Sequence, residues 1–204
     1  LGLCLALNRT RDTRLALDEL EDLIRRSPDC SEAYLLQATL RESSGDAAGA
    51  VRSAREGLRV TPRSGGLHTA LARGLLGQGE TPEALRHYQL ALRYEPDAWR
   101  ALVGLAWVRA AHEDRHFRDG AEAVALATRA CELTHRQWPQ ALHVLAAALA
   151  ETGQYQRAAQ EIESALSSAS SLDDVARPDQ LRRDLEQYRV GTPLRESPRN
   201  LAGR

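Results

Sequence analysis

Small and apolar residues recur at a fixed period along the chain, with polar residues between them. Pro28, Pro62 and Pro96 stand 34 residues apart, and each ends a segment rich in leucine, alanine and arginine. An alanine lies twelve residues before each proline, and the series continues along the chain: Ala16, Ala50, Ala84, Ala123 and Ala158. Self-similarity at a period of about 20 to 50 residues is typical of repeat architectures. The pattern therefore predicts a stack of similar units.

Two further series of mostly small residues accompany the first. One stands about twelve residues earlier: Cys4, Ala38, Ala72, Ala106 and Ala146. The other follows seven residues later: Leu23, Gly57, Ala91, Ala130 and Ala165. Small side chains at regular intervals on two consecutive helices allow close antiparallel packing, and no segment shows the alternation that a strand needs. The sequence therefore predicts an all-α fold of antiparallel helix pairs.

Turn and cap residues place the predicted helices. Gly45, Gly79 and Gly153 mark positions where a left-handed residue ends the first helix of a pair. We predict a truncated first helix over residues 1–9 and its partner over 13–26. The complete pairs are predicted at 32–44 with 47–60, 66–78 with 81–94, 99–114 with 119–134, and 140–152 with 155–168.

The end of the chain departs from the repeat. Residues 172–190 predict an amphipathic capping helix, because the last repeat of a solenoid would otherwise expose its apolar face to water. Residues 191–204 predict an extended tail. The fourth unit carries an insertion near residues 112–120, since Ala106 stands seventeen residues before Ala123 instead of twelve.

These landmarks carry a family resemblance. The units SEAYLLQATLRESSGDAAGAVRSAREGLRVTP and GGLHTALARGLLGQGETPEALRHYQLALRYEP resemble the tetratricopeptide repeat, although His68 and Leu102 stand where Tyr34 provides its aromatic landmark. The resemblance covers about residues 1–168. It implies a right-handed superhelical solenoid of about five units that binds proteins and has no cofactor. It also implies a fragment of a longer bacterial chain, since such repeats often follow a membrane-embedded region.

Composition excludes several classes of protein. The formal net charge of -1 offers no basic field for nucleic acid. All 27 positive side chains are arginines, which indicates a GC-rich bacterial genome. The three cysteines show no metal-binding spacing, and the longest apolar run, at 141–150, is too short to cross a bilayer. We therefore expect a protein or peptide partner, with no direct membrane insertion of this segment.

The stretch HEDRH, from His112 to His116, fits the H-E-x-x-H pattern of zinc peptidases. Two histidines on one helical face would hold the ion there, and the glutamate would act as general base. The nearby Asp119-Gly120 ends any helix, and the third-ligand candidates are limited to Glu122 and Glu132. We therefore predict a loop insertion and no metal or catalytic residues, and keep a zinc-dependent hydrolase as an alternative.

The face of the first helices that points away from the small residues is the predicted partner-binding groove. Trp107 and Arg73 are the strongest candidates in it, because these residue types are enriched among interface hot spots; a core position is the alternative for Trp107. The predicted groove residues are Glu32, Leu35, Thr39, Thr69, Arg73, Arg100, Val103, Trp107 and His143.

Two non-catalytic functions remain open at this point. The first is a scaffold that binds a peptide or a partner helix in the groove. The second is a self-associating structural segment of a larger membrane-linked protein, whose groove is filled by its own tail or by a second copy in a homo-oligomer. The tail segment GTPLRESPRN suits the second function, because prolines favour an extended backbone.

Overall fold

All regular secondary structure in the described residues is helical, apart from one isolated bridge. The structure is a computed structural model that describes residues 13–169 and 178–202 of the 204. The predicted helix over 1–9 and the first part of the predicted capping helix lie outside these residues. The chain divides into two compact units: unit 1 runs to Pro96, and unit 2 runs from Asp97 to Ala202.

Unit 1 contains consecutive helices that pack against one another. The described helices are α1 (Thr13–Arg26), α2 (Ser31–Ser43), α3 (Ala47–Val60), α4 (Gly65–Gln78) and α5 (Thr81–Tyr94). Each packs against the next, and α2 also packs against α4. Contact of a helix with both its partner and the next first helix is the arrangement of stacked helix pairs. The two complete pairs predicted for this unit, 32–44 with 47–60 and 66–78 with 81–94, are confirmed.

Unit 2 repeats this arrangement and adds a C-terminal segment. Its helices are α6 (Trp99–Ala111), α7 (Gly120–Leu133), α8 (Pro139–Glu151), α9 (Tyr155–Ala169), α10 (Pro178–Arg189) and α11 (Pro198–Ala202). Consecutive helices pack together from α6 to α10, α6 also packs against α8, and α11 packs against α6. The fold class, an all-α array of helix pairs, is therefore confirmed.

The small residues of the three series form the inner surfaces of the helices. The described members of the first two series are 0% exposed: Ala16, Ala50, Ala84, Ala123, Ala158, Ala38, Ala72, Ala106 and Ala146. A methyl group added to Gly57 would lie 2.8 Å from Cβ of Tyr34, closer than packing allows. The periodic small residues in the sequence thus mark the positions at which neighbouring helices pack closely.

Glycines end three of the first helices, as predicted. Gly45, Gly79 and Gly153 have φ angles of 84°, 87° and 79°. Gly79 caps α4, and its N–H bonds back to carbonyls in the last turn. A left-handed residue at this position satisfies carbonyls that the helix leaves without partners.

The structure differs from the prediction at two places. The helix predicted to end at residue 114 ends at Ala111, because His112 leaves the helical conformation and Arg118 donates to the carbonyls of His112 and Glu113. The segment predicted as an extended tail contains the short helix α11. Of the helices described, none combines the length and the apolarity that crossing a bilayer requires.

Candidate partner-binding surface

The first helices of unit 1 present part of the predicted groove. Glu32 and Thr39 of α2 are exposed, and Leu35 between them is half-buried. The Thr39 hydroxyl donates to the Leu35 carbonyl at 2.9 Å. Leu35 also lies close to the backbone of α4, since a Cβ on Gly66 would be 3.0 Å from its methyl group. These three residues form a surface that a ligand can reach.

Thr69 of α4 is a correction to the predicted groove. Its side chain is buried, with 6% exposure, and its hydroxyl donates to the Gly65 carbonyl at 2.8 Å. The helix therefore satisfies this hydroxyl internally, and Thr69 exposes little surface.

Arg73 joins two first helices of unit 1. Its guanidinium donates to Glu42 Oε1 at 2.7 Å, which ties α4 to α2. The buried Tyr88 of α5 belongs to the same electrostatic cluster, and burial raises the pKa of its phenol. Arg73 is half-buried. It is therefore already committed to Glu42, which limits it as a ligand contact.

A histidine pair lies between α4 and α5. His68 Nε2 donates to the Pro62 carbonyl at 3.1 Å, so the neutral ring accepts at Nδ1 from His87 Nδ1–H, 2.9 Å away. Burial lowers the pKa of His68, and burial together with the neighbouring His68 lowers that of His87. Protonating both rings would set two N–H groups against each other. The two rings therefore pack α4 against α5 in their neutral forms.

Unit 2 presents an aromatic and cationic surface at the start of α6 and α8. The Arg100 guanidinium lies 4.4 Å from the Trp99 ring centroid, and the Trp99 and Trp138 rings are 4.9 Å apart. Arg100 is exposed and Val103 is half-buried. Tryptophan and arginine together are typical of interface hot spots. Trp99 and Trp138 were not among the predicted groove residues, although their residue type was a signal.

Trp107 is a second correction, because its indole is only 4% exposed. Its ring meets the His143 ring edge-on, with centroids 4.8 Å apart. His143 in turn lies 2.7 Å from Asp184 Oδ2, and the Asp184 side chain is 1% exposed. These contacts link three helices: Trp107 of α6 packs against His143 of α8, and His143 pairs with Asp184 of α10. Trp107 is a core residue, and His143 ties α10 to α8.

The HEDRH stretch follows α6 as a loop and a single 3-10 turn over Arg115–Phe117. His112 is 3% exposed, its Nδ1 accepts the Asp114 N–H at 2.9 Å, and its ring meets the Phe117 ring at 4.7 Å. His116 is exposed and pairs with Asp114 Oδ1 at 2.8 Å. The two histidines do not share a helical face. Within residues 13–169 and 178–202, no three His, Cys, Asp or Glu side chains are grouped to hold a metal. These residues do not fit a zinc peptidase site.

The C-terminal segment lies on the first helices of unit 2. Gly191, with φ of 72°, ends α10 and turns the chain back. The Glu196 N–H donates to the Ala111 carbonyl at 2.8 Å, and the Glu196 carbonyl accepts from the Glu113 N–H at 2.9 Å, which makes a parallel bridge. Arg195 Nη1 lies 2.8 Å from Glu151 Oε2 at the end of α8. An extended segment is therefore seated on this surface.

The helix pairs and the buried small residues define a helical repeat protein. The sequence matches the tetratricopeptide repeat family over residues 2–64 and 69–141, and the chain belongs to that family. No curated protein matches the sequence significantly. Proteins of this fold generally mediate protein–protein interactions.

Solved structures show the same fold at low sequence identity. PilW, a type IV pilus biogenesis factor, is similar with a TM-score of 0.71 and 21% identity over 93% of this chain and 84% of PilW. TTC0263, a tetratricopeptide repeat protein from Thermus thermophilus, is similar with a TM-score of 0.70 and 20% identity over 93% of this chain and 97% of its own. MamA is similar with a TM-score of 0.60 and 14% identity over 81% of this chain and 94% of MamA.

Proposed function

We propose that this protein is a non-catalytic scaffold that binds an extended peptide or a helix of a partner protein on the faces of its first helices. The seated C-terminal segment carries the proposal, because it contacts α6 and α8 by backbone hydrogen bonds and an ion pair. A surface that accepts this segment has the shape and the backbone geometry that an extended ligand needs.

The reachable residues narrow the predicted groove. In unit 1 the proposed contacts are Glu32, Leu35 and Thr39, and in unit 2 they are Arg100 and Val103, all exposed or half-buried. A half-buried aliphatic side chain flanked by polar neighbours is typical of a contact that becomes fully buried on binding.

Site-specific photo-cross-linking tests the proposal. A photoreactive residue is placed at Thr39 or Arg100 of the full chain in its source cell, and a matched control is placed at Arg52, which is exposed on the second helix α3. We expect cross-links to a partner protein from Thr39 or from Arg100, and none to that partner from Arg52. Variants Leu35→Arg and Val103→Arg should reduce this product at least tenfold.

The control variants separate loss of binding from loss of folding. Each variant is compared with Arg52→Glu by circular dichroism melting, and only variants that melt like the wild type are interpreted. Equal cross-linking from Arg52 and Thr39, or a partner retained in both arginine variants, would refute binding on the first helices.

A further inference from the structure

The tail, defined as residues 192–202, is anchored to unit 2 by two leucines. Leu194 and Leu201 are each 5% exposed, although Arg195, Arg199 and Asn200 around them are exposed. The helix that carries Leu201, α11, packs against α6. Between these two apolar anchors, Glu196 is buried at 8% exposure and Ser197 and Pro198 are half-buried, so the tail lies against unit 2 along this whole stretch.

The backbone of the tail supplies hydrogen bonds that any extended peptide could supply. Ala111 is the last residue of α6, so its carbonyl has no helical N–H to accept. Glu196 provides that N–H and takes the Glu113 N–H in return. The inserted HEDRH loop therefore presents a short backbone edge that pairs with a ligand in parallel orientation.

The Glu151 carboxylate contacts Arg195, the residue that follows Leu194. Glu151, whose side chain is 16% exposed, contacts Arg118 Nε through Oε1 at 3.0 Å and Arg195 Nη1 through Oε2 at 2.8 Å. Arg118 is held by the carbonyls of the inserted loop. The second oxygen of Glu151 therefore favours a basic ligand side chain at this position.

The tail does not fill the space against the capping helix. A cleft of about 370 Å³ separates it from α10, with a polar wall of Gln180, Arg183, Asp184 and Gln187. This cleft opens to solvent, so the tail does not cover that wall of α10. The contact of the tail with unit 2 is thus concentrated at the leucine anchors, the backbone bridge and the ion pair.

We infer that this surface, the tail seat, is a peptide-binding site that the tail closes from within the chain. The tail seat consists of residues 111–113, Glu151 and the facing side of α10. The ligand that fits it is a peptide with an apolar residue followed by a basic residue in an extended stretch, and a second apolar residue seven positions after the first in a short helix, as in α11. The inference rests on the proposed function, to which it adds the ligand chemistry and a competition between partner and tail.

The test uses the full chain and a fluorescent peptide of residues 192–202. In the variant Leu194→Asp/Leu201→Asp the tail loses both anchors, which empties the seat. We expect fluorescence anisotropy to show the peptide binding at least tenfold more tightly to this variant than to the wild type. A peptide carrying Arg195→Glu should bind the variant at least threefold more weakly than the unchanged peptide.

A folded variant that binds the peptide no better than the wild type would overturn the inference. If the variant does not fold, amide hydrogen exchange in the wild type decides. Exchange of the Glu196 and Glu113 amides at least tenfold faster than that of Leu105 in α6 supports a detachable tail, and exchange at the rate of Leu105 overturns it. Cross-links from Thr39 without peptide binding at the tail seat would leave the scaffold function standing and remove only this site.

Discussion

Truncating Trp107 to alanine separates a core role from a binding role for this residue. The indole is 4% exposed and meets the His143 ring at 4.8 Å. Removing a buried tryptophan costs about 3–5 kcal/mol in the free energy of unfolding, since transfer and cavity terms add. Loss of the edge-on contact with His143 accounts for about 0.5–1.5 kcal/mol of that amount. We therefore expect Trp107→Ala to be destabilised by about 3–5 kcal/mol.

Urea unfolding of the full chain, followed by circular dichroism, measures this difference. Arg100→Ala in the same helix is the matched control, because its exposed guanidinium stacks on Trp99 and its loss costs about 1 kcal/mol or less. Trp107→Phe, which keeps part of the volume, should fall between the two. A Trp107→Ala chain within about 1 kcal/mol of the wild type would refute the core assignment and return Trp107 to the partner-binding groove.

Other constrained groups make three further outcomes testable. The pKa values of His68 and His87 are lower in the folded chain than the ordinary histidine value of about 6.5, which holds in the unfolded chain. Below about pH 6.5 these two histidines therefore bind more protons in the unfolded chain than in the folded one. The contribution of this pair to the free energy of unfolding is therefore expected to be complete above about pH 6.5. It should be lost as the pH falls from there through the folded-state pKa values. Urea titrations at about pH 7.5 and about pH 5.5 should show this, and His87→Gln should reduce the difference; identical pH profiles would contradict it. Gly79→Ala should cost about 1–2 kcal/mol in thermal melting, because φ is 87° and no atom within 4 Å offers compensation; an unchanged melting temperature would count against the left-handed cap. Burial raises the pKa of the Cys131 thiol to about 11, so alkylation at neutral pH, followed by mass spectrometry, should label Cys131 at least tenfold more slowly than the half-buried Cys30. Equal labelling of the two thiols in the native chain would contradict that burial.

The repeat was predictable because its constraint acts on single side chains. Ala50 and Ala84 are 0% exposed, and each lies where two helices approach too closely for a larger residue. Gly57 shows the same constraint in a stricter form, since even a methyl group would meet Tyr34 and Leu67 at 2.8 Å. Each of these positions accepts only a small side chain, and the same limit returns in every unit. The small residues therefore recur at the period of the repeat in the sequence.

The partner-binding surface was less predictable because exposure depends on distant neighbours. The period identifies which side of a helix points away from the small residues, but not what covers that side. Arg73 is engaged by Glu42, 31 residues earlier, and His143 by Asp184, 41 residues later. Neither partner is marked by spacing or by a motif. The same reasoning explains why Trp107 was placed in the groove when it belongs to the core.

Two segments depart from the repeat, the insertion in the fourth unit and the tail, and they pair with each other through backbone hydrogen bonds. The helix α6 ends at Ala111, the position in the unit that corresponds to Ser43 of α2 and Glu151 of α8. The five additional residues follow it and expose a backbone edge at residues 111–113, and the tail is the segment that pairs with this edge. In the units without an insertion, the first helix is followed at once by the short turn into the second helix, as after Ser43 and Glu151, and that turn leaves no such edge. Without the tail, the Ala111 carbonyl and the Glu113 N–H would need water or a ligand as partners. An insertion that looks like a metal motif is therefore better understood as a loop that gives this helical repeat a short backbone edge, with which the tail pairs.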